Sequence, residues 1–274
     1  MTMERDSAPL IRIDSCALAS ARRVAAMLDC DPGMVADGQP LPRGWHFILL
    51  GGDTRRSELR GDGFPGLGVP MPDFGLPRLL LAGRSVRWDG DIAIGEPVER
   101  DSRIEDITEK QGPAGRMALV RLRHALRPLS QAQAAVIETQ TYALLPAGPS
   151  APRPAAPAGA EAAHRRRVTP DETLLFQYSA LGFNSHKIHL DRDHARIVEG
   201  LPDLVVNGGL VALLATEFLR TDLGVTPTAL RARHLSPLYC NHPMTLCADP
   251  APSGWRIRVL DDSGVLAAEL EVEA

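Results

Sequence analysis

Residues 208–221, GGLVALLATEFLRT, are apolar nearly all round a helical circumference. A helix of that kind has no face to give to water, so the rest of the chain must cover it. The downstream residues can do so: ARHLSPLY, MTLCAD, WRIRVL and VLAAELEVE read as short strands. The last two flank Asp261-Asp262-Ser263-Gly264, a hairpin turn signal. A buried helix succeeded by antiparallel strands predicts an α+β sheet wrapped around a central helix. Upstream the same ingredients recur more faintly. SCALASARRVAAMLD favours helix through its alanine and leucine content. Beyond a proline-rich 32–43, the pieces WHFILL, RLLLAGRSVRW, RMALVRLRHAL and AAVIETQTYALL carry the partial alternation of half-buried antiparallel strands. Between the two portions, residues 146–168 (PAGPSAPRPAAPAGAEAAHRRRV) cannot form a core and read as a linker dividing 1–145 from 169–274.

Composition removes several function classes. With 44% hydrophobic residues the chain is ordinarily globular, and a net charge of −4 gives no electrostatic footprint for nucleic acid. No apolar run approaches the roughly 20 residues that cross a bilayer. The opening MTMERDSAPLIRID lacks the apolar core of a secretory signal. Cys16, Cys30, Cys240 and Cys247 form no CxxC pair and read as reduced, buried thiols. A cytoplasmic protein is the expectation.

Chemistry concentrates in FNSHKIHLD, residues 183–191, with LLFQYSAL before it read as a strand. His186 and His189 have HxxH spacing, with Asp191, Asp193 and His194 beyond, which raises a zinc reading. Against it, Gly182, Asn184 and Ser185 favour a turn over a helix, and no cysteine motif supplies further ligands, so no metal is expected. A structural reading makes Asp191 the N-cap of a short helix, RDHARIVEG, ended by Gly200. That leaves two histidines and an asparagine unexplained. Proton transfer uses all three: imidazole moves protons near neutral pH, and an amide orients water. Downstream, Asn207-Gly208-Gly209 opens the buried helix, where a glycine pair admits close approach and free N–H groups favour developing negative charge. Together these fit chemistry next to a carbonyl that passes through an enolate.

The segment YSALGFNSHKIHLDRDHARIVEGLPDLVVNGGL resembles the signature of the MaoC-like hydratase family, in the branch with mitochondrial-type 3-hydroxyacyl-thioester dehydratases and mesaconyl-C4-CoA and itaconyl-CoA hydratases. That branch reads (R/K)YSALTFNxHRIHYDxxYA and then VEGYPGLVVHGPL. PLPRGWHFILL, SELRGDGFP, LPRLLLAG and ITEKQGPAGRMALVRLRH have counterparts there too. The resemblance implies a double hot-dog fold, a long helix wrapped by antiparallel sheet in each of two units, the N-terminal one shaping the acyl pocket. It implies reversible addition of water to a 2-enoyl-CoA thioester, with short branched dicarboxylic acyl groups foremost. Its rivals are an acyl-carrier-protein dehydratase, a non-catalytic thioester binder and a thioesterase. His189 would be the general base and acid. Asn184, standing where the wider group has aspartate, would position water, and a share for His186 is open. Gly208, Gly209, Asn207, Tyr178 and Lys187 would meet the acyl-CoA. No cofactor beyond coenzyme A as a substrate handle is implied, and a homodimer is expected. Gln177, Gly182, Lys187 and Leu190 depart from the branch pattern, and its HGP before the helix is here Asn207-Gly208-Gly209. The Arg165–Arg167 run reads as solvated linker in preference to a phosphate contact.

Overall fold

The computed structural model describes residues 2–3, 9–112, 115–148, 159 and 161–274. Two units of the same plan lie side by side. The first runs β2 (Leu10–Ser15), α1 (Leu18–Met27), β3 (Arg78–Trp88), β4 (Pro97–Gly112), β5 (Gly115–Pro128) and β6 (Val136–Leu145), with the short β1 (Thr2–Met3) on β4. The second runs β7 (His164–Val168), α2 (Glu172–Leu181), α3 (Gly208–Asp222), β8 (Ala229–His234), β9 (Met244–Ala251), β10 (Gly254–Leu260) and β11 (Leu266–Glu273). In space the first sheet reads β4-β5-β6-β3 with β2 on β4, and the second β9-β10-β11-β8 with β7 on β9. The strand orders are identical, so the duplication that no sequence repeat displays is explicit in the topology. β3 and β8 pair antiparallel, Ser85 opposite Arg231, and join both sheets into one.

Helix α3 is buried continuously from Gly209 to Leu219. Each fully covered Leu, Val or Phe there contributes about 1.5–3 kcal/mol by burial, which makes α3 the centre of the main core. The first unit has no counterpart of that length. In the matching place, after α1 and before β3, WHFILL forms a 3₁₀ helix, Trp45–Leu50, rather than a strand. Trp45, His46 and Phe47 are all buried, a run that no strand alternation accommodates. This turn lies on α3: Trp45 Nε1 donates to Glu217 Oε1 at 2.8 Å. Gly44, at φ 94°, lies so close to the Thr216 hydroxyl that a Cβ would strike it.

Three other expectations change. LLFQYSAL belongs to helix α2, not a strand: Asp171 accepts the Leu174 N–H at 2.8 Å, and the buried Leu175 and Ser179 fall four apart on one face. The strand in ARHLSPLY stops at His234. The basic run, placed in the linker by composition, is strand β7, with Arg165 opposite Cys247. Arg166 lies over the Phe218 ring at 5.2 Å and pairs with Asp222. No described helix is long and apolar enough to cross a membrane.

Candidate active site

After α2 the chain turns sharply at Phe183 (φ 48°), and Asn184 N–H returns to Ser179 O at 2.8 Å. Asn184 Oδ1 then accepts the His186 N–H at 3.1 Å, so the amide oxygen shapes the loop. A single 3₁₀ turn, Lys187–His189, sets the His186 and His189 rings perpendicular with centroids 5.5 Å apart. Asp191 accepts the His194 N–H at 3.0 Å, the expected cap, although the capped turn (His194–Val198) is a π-helix.

His189 is 8% exposed, and its Nδ1–H donates to Val205 O at 2.7 Å. That bond fixes the tautomer and leaves Nε2 with the free lone pair. Burial first, then the neighbouring His186, pushes the His189 pKa down to about 3 against the Val205 bond, so the ring is neutral at physiological pH. His186 faces Asp62 Oδ2 at 3.5 Å and packs edge-on against Phe64. Burial raises the Asp62 carboxyl, but the His186 hydrogen bond, the Phe64 N–H and the charges of His186 and Arg60 outweigh it and hold it well below the usual range. Asp62 belongs to a loop of the first unit that is stitched to the histidine loop. Lys187 N–H donates to Asp62 O at 2.8 Å, Ser185 Oγ to Gly63 O at 2.6 Å and Lys187 Nζ to Gly61 O at 2.9 Å.

Three residues beyond Val205, α3 begins. Val211 N–H makes the first bond of the helix, to Asn207 O at 3.1 Å, and no described carbonyl accepts from the Gly208 or Gly209 N–H. The neighbouring side chains also require the glycine pair. A Cβ at Gly209 would collide with Tyr178 Oη and stand 3.4 Å from Arg84 Nη2, and one at Gly208 would stand 3.1 Å from His234 Nε2. Protein side chains therefore pack against the Cα side of both glycines. Asn207 is 3% exposed, with Nδ2 3.5 Å from Ser179 Oγ and Oδ1 unpartnered. Behind these groups lies a buried network. Glu138 meets Arg84 Nε at 3.2 Å, His46 Nε2 at 3.0 Å and Gln140 Nε2 at 2.7 Å, and Tyr142 donates to Gln140 at 2.8 Å. Burial raises the Glu138 carboxyl, but Arg84, then His46 and Gln140, bring it down to about 2.

Burial also lowers the His124 and His234 pKa values to about 4. The consequence has a definite sign. An unfolded chain protonates these imidazoles near about 6.5, whereas the folded chain resists until His124 and His234 reach about 4 and His189 about 3. Below pH 6.5 the unfolded state therefore binds more protons, and stability falls as pH falls. Thermal melts should lose roughly 10 °C between pH 7 and pH 4.5; a flat profile would contradict burial of neutral rings.

Against known proteins, the description of hydroxyacyl-thioester dehydratase type 2 matches residues 44–240. Mesaconyl-C(4)-CoA hydratase of Chloroflexus aurantiacus is 34% identical over 265 residues, spanning 95% of this chain and 93% of that one. The chain belongs to the hydroxyacyl-thioester dehydratase type 2 family. The mitochondrial type 2 dehydratase of Schizosaccharomyces pombe is 24% identical over 246 residues, 81% of this chain and 82% of its own. A MaoC-like dehydratase from Phytophthora capsici shares the fold, with a TM-score of 0.71 at 11% identity over 97% of this chain and 95% of that one. This type 2 dehydratase relative is thus a hydro-lyase built as a double hot-dog. Among its described residues no group of three or more His, Cys, Asp or Glu side chains stands together as a metal-ion cluster.

Within the hydroxyacyl-thioester dehydratase type 2 fold, two departures from the branch pattern, Asn207 and Gly209, stand at the start of α3, and the others lie away from it. Gln177 is exposed on α2, Leu190 is 40% exposed, and the Lys187 ammonium is bonded to the Gly61 carbonyl. No motif singles out Asp62, Arg84, Glu138, His46 or His234. One signal was available: alternation along AVIETQTY puts Glu138 and Gln140 on the same inward face as Val136.

Proposed function

We propose that this protein reversibly hydrates 2-enoyl-CoA thioesters, and that its acyl group is a short branched dicarboxylic one of the mesaconyl-C4 or itaconyl kind. The observation that supports this best is the neutral His189, tethered to Val205 three residues before the open amides of Gly208 and Gly209. In the hydration direction, water attacks the β-carbon while its proton passes to His189 Nε2. The electron pair moves onto the thioester oxygen, held by the Gly208 and Gly209 N–H groups. Losing one donor of this kind typically costs about 2.7–4 kcal/mol. The imidazolium then returns the proton to the α-carbon. Asp62 orients His186, which braces the reacting ring, so both units serve the chemistry. Proton transfer and hydrogen-bond donation suffice, and coenzyme A enters as part of the substrate.

Wild-type turnover of crotonyl-, itaconyl- and mesaconyl-C4-CoA tests the reading: hydration with preference for a dicarboxylic thioester supports it. Binding without turnover would favour a non-catalytic binder, and thiol release a thioesterase. Asn184→Asp should keep the loop, since a carboxylate also accepts the His186 N–H. The added negative charge favours imidazolium, so the acid limb of kcat/KM moves to higher pH. An unmoved limb would place Asn184 outside the proton path.

A further inference from the structure

Lys187, where the branch pattern has arginine, is the cation that the resemblance brings to the acyl-CoA. The Lys187 ammonium is instead bonded to Gly61 O. The cation that the fold brings to the start of α3 is Arg84, on β3, 7% exposed. Its guanidinium is clamped on one edge and one face. Glu138 Oε1 lies 3.2 Å from Nε as an ion pair, and the Phe47 ring lies under the guanidinium carbon at 3.8 Å. Glu138 is itself fixed by His46 and Gln140. Nε and Nη1 are shut off from solvent with no hydrogen-bond partner, and Nη2 is turned to Gly209. Tyr178 Oη lies at the same glycine and forms no hydrogen bond with the described residues.

An orphaned buried donor costs free energy, and a planar fork held rigidly is suited to a carboxylate. We propose that Arg84, with Tyr178 beside it, binds a free carboxylate of the acyl group and so selects monothioesters of dicarboxylic acids. This rests on the hydratase reading above. Glu138 acts as the positioning partner that aims the guanidinium, and the amides at the α3 start remain for the thioester oxygen. An acyl group without a carboxylate leaves the fork unpaired. A site built to hydrogen-bond its substrate discriminates most strongly in that situation.

The test is the ratio of kcat/KM for mesaconyl-C4-CoA to that for crotonyl-CoA, in wild type, Arg84→Lys and Arg84→Gln. The ratio should fall at least about 30-fold in Arg84→Gln, the low end for removing one partner of a buried charge pair. It should fall in Arg84→Lys too, which keeps the charge but loses the planar fork. Equal losses on both substrates would overturn the proposal, assigning Arg84 to the thioester or to the fold, while leaving the hydratase reading intact. A wild type that hydrates crotonyl-CoA but no dicarboxylic thioester would overturn it too. Hydration of neither would remove the reading beneath it. Should the variants fail to fold, wild type decides: esterifying the acyl carboxylate with a methyl group should lower kcat/KM at least about 30-fold. An unchanged rate would overturn the proposal.

Discussion

His189→Ala should lower hydration by about 10²–10⁴-fold, the usual contribution of a positioned acid–base group. The size derives from geometry more than from identity. Val205 O holds the Nδ1–H at 2.7 Å, so one ring nitrogen is committed and the other is presented in a single orientation. A base that is neutral at pH 7 needs no activation before it takes a proton. Alanine removes the base without breaching the α3 core, because His189 lies on a 3₁₀ turn packed beside His186. One buried hydrogen bond is lost, worth about 1 kcal/mol, and Tm should fall by only a few degrees. Measuring kcat/KM with a melt on the same sample separates the two effects. Activity within a few-fold of wild type in a folded variant would contradict the assignment.

Glu138→Gln should give the largest loss of stability. Glu138 is fully buried and is the carboxylate opposite Arg84, itself 7% exposed. Breaking a buried pair from one side leaves an uncompensated charge and costs about 3–5 kcal/mol, or roughly 10 °C in Tm. The double variant Arg84→Met/Glu138→Leu removes both charges and should recover most of that loss, since apolar replacement of a whole buried pair is often neutral. A single variant as stable as wild type would show that the pair contributes little. A double variant as unstable as the single would place the cost in packing, not charge.

The sequence disclosed the parts of this fold whose physics is local. Near-continuous apolarity across 208–221 marked α3, turn chemistry at Asp261–Gly264 marked the last hairpin, and Asp191 was readable as a cap. It misled where tertiary context decides. LLFQYSAL suits either a strand or a helix until Asp171 caps it, and WHFILL has no neighbouring strand to pair with. The basic run 165–167 looks like solvent-exposed linker until β9 accepts it as a partner strand. The site divides along the same line. His186, His189, Tyr178 and the glycine pair announce themselves by residue type and spacing. Asp62 and Arg84 lie more than ninety residues upstream and reach the same region only because the two units pack together.

Enzyme, thioester and ¹⁸O-labelled water in one mixture, analysed by mass spectrometry with a parallel thiol titration, test the central claim most directly. Water addition at the double bond predicts one heavy oxygen in the intact acyl-CoA product and no free thiol. Label appearing in a released acid with a matching rise in thiol, or thioester recovered unlabelled, would contradict it.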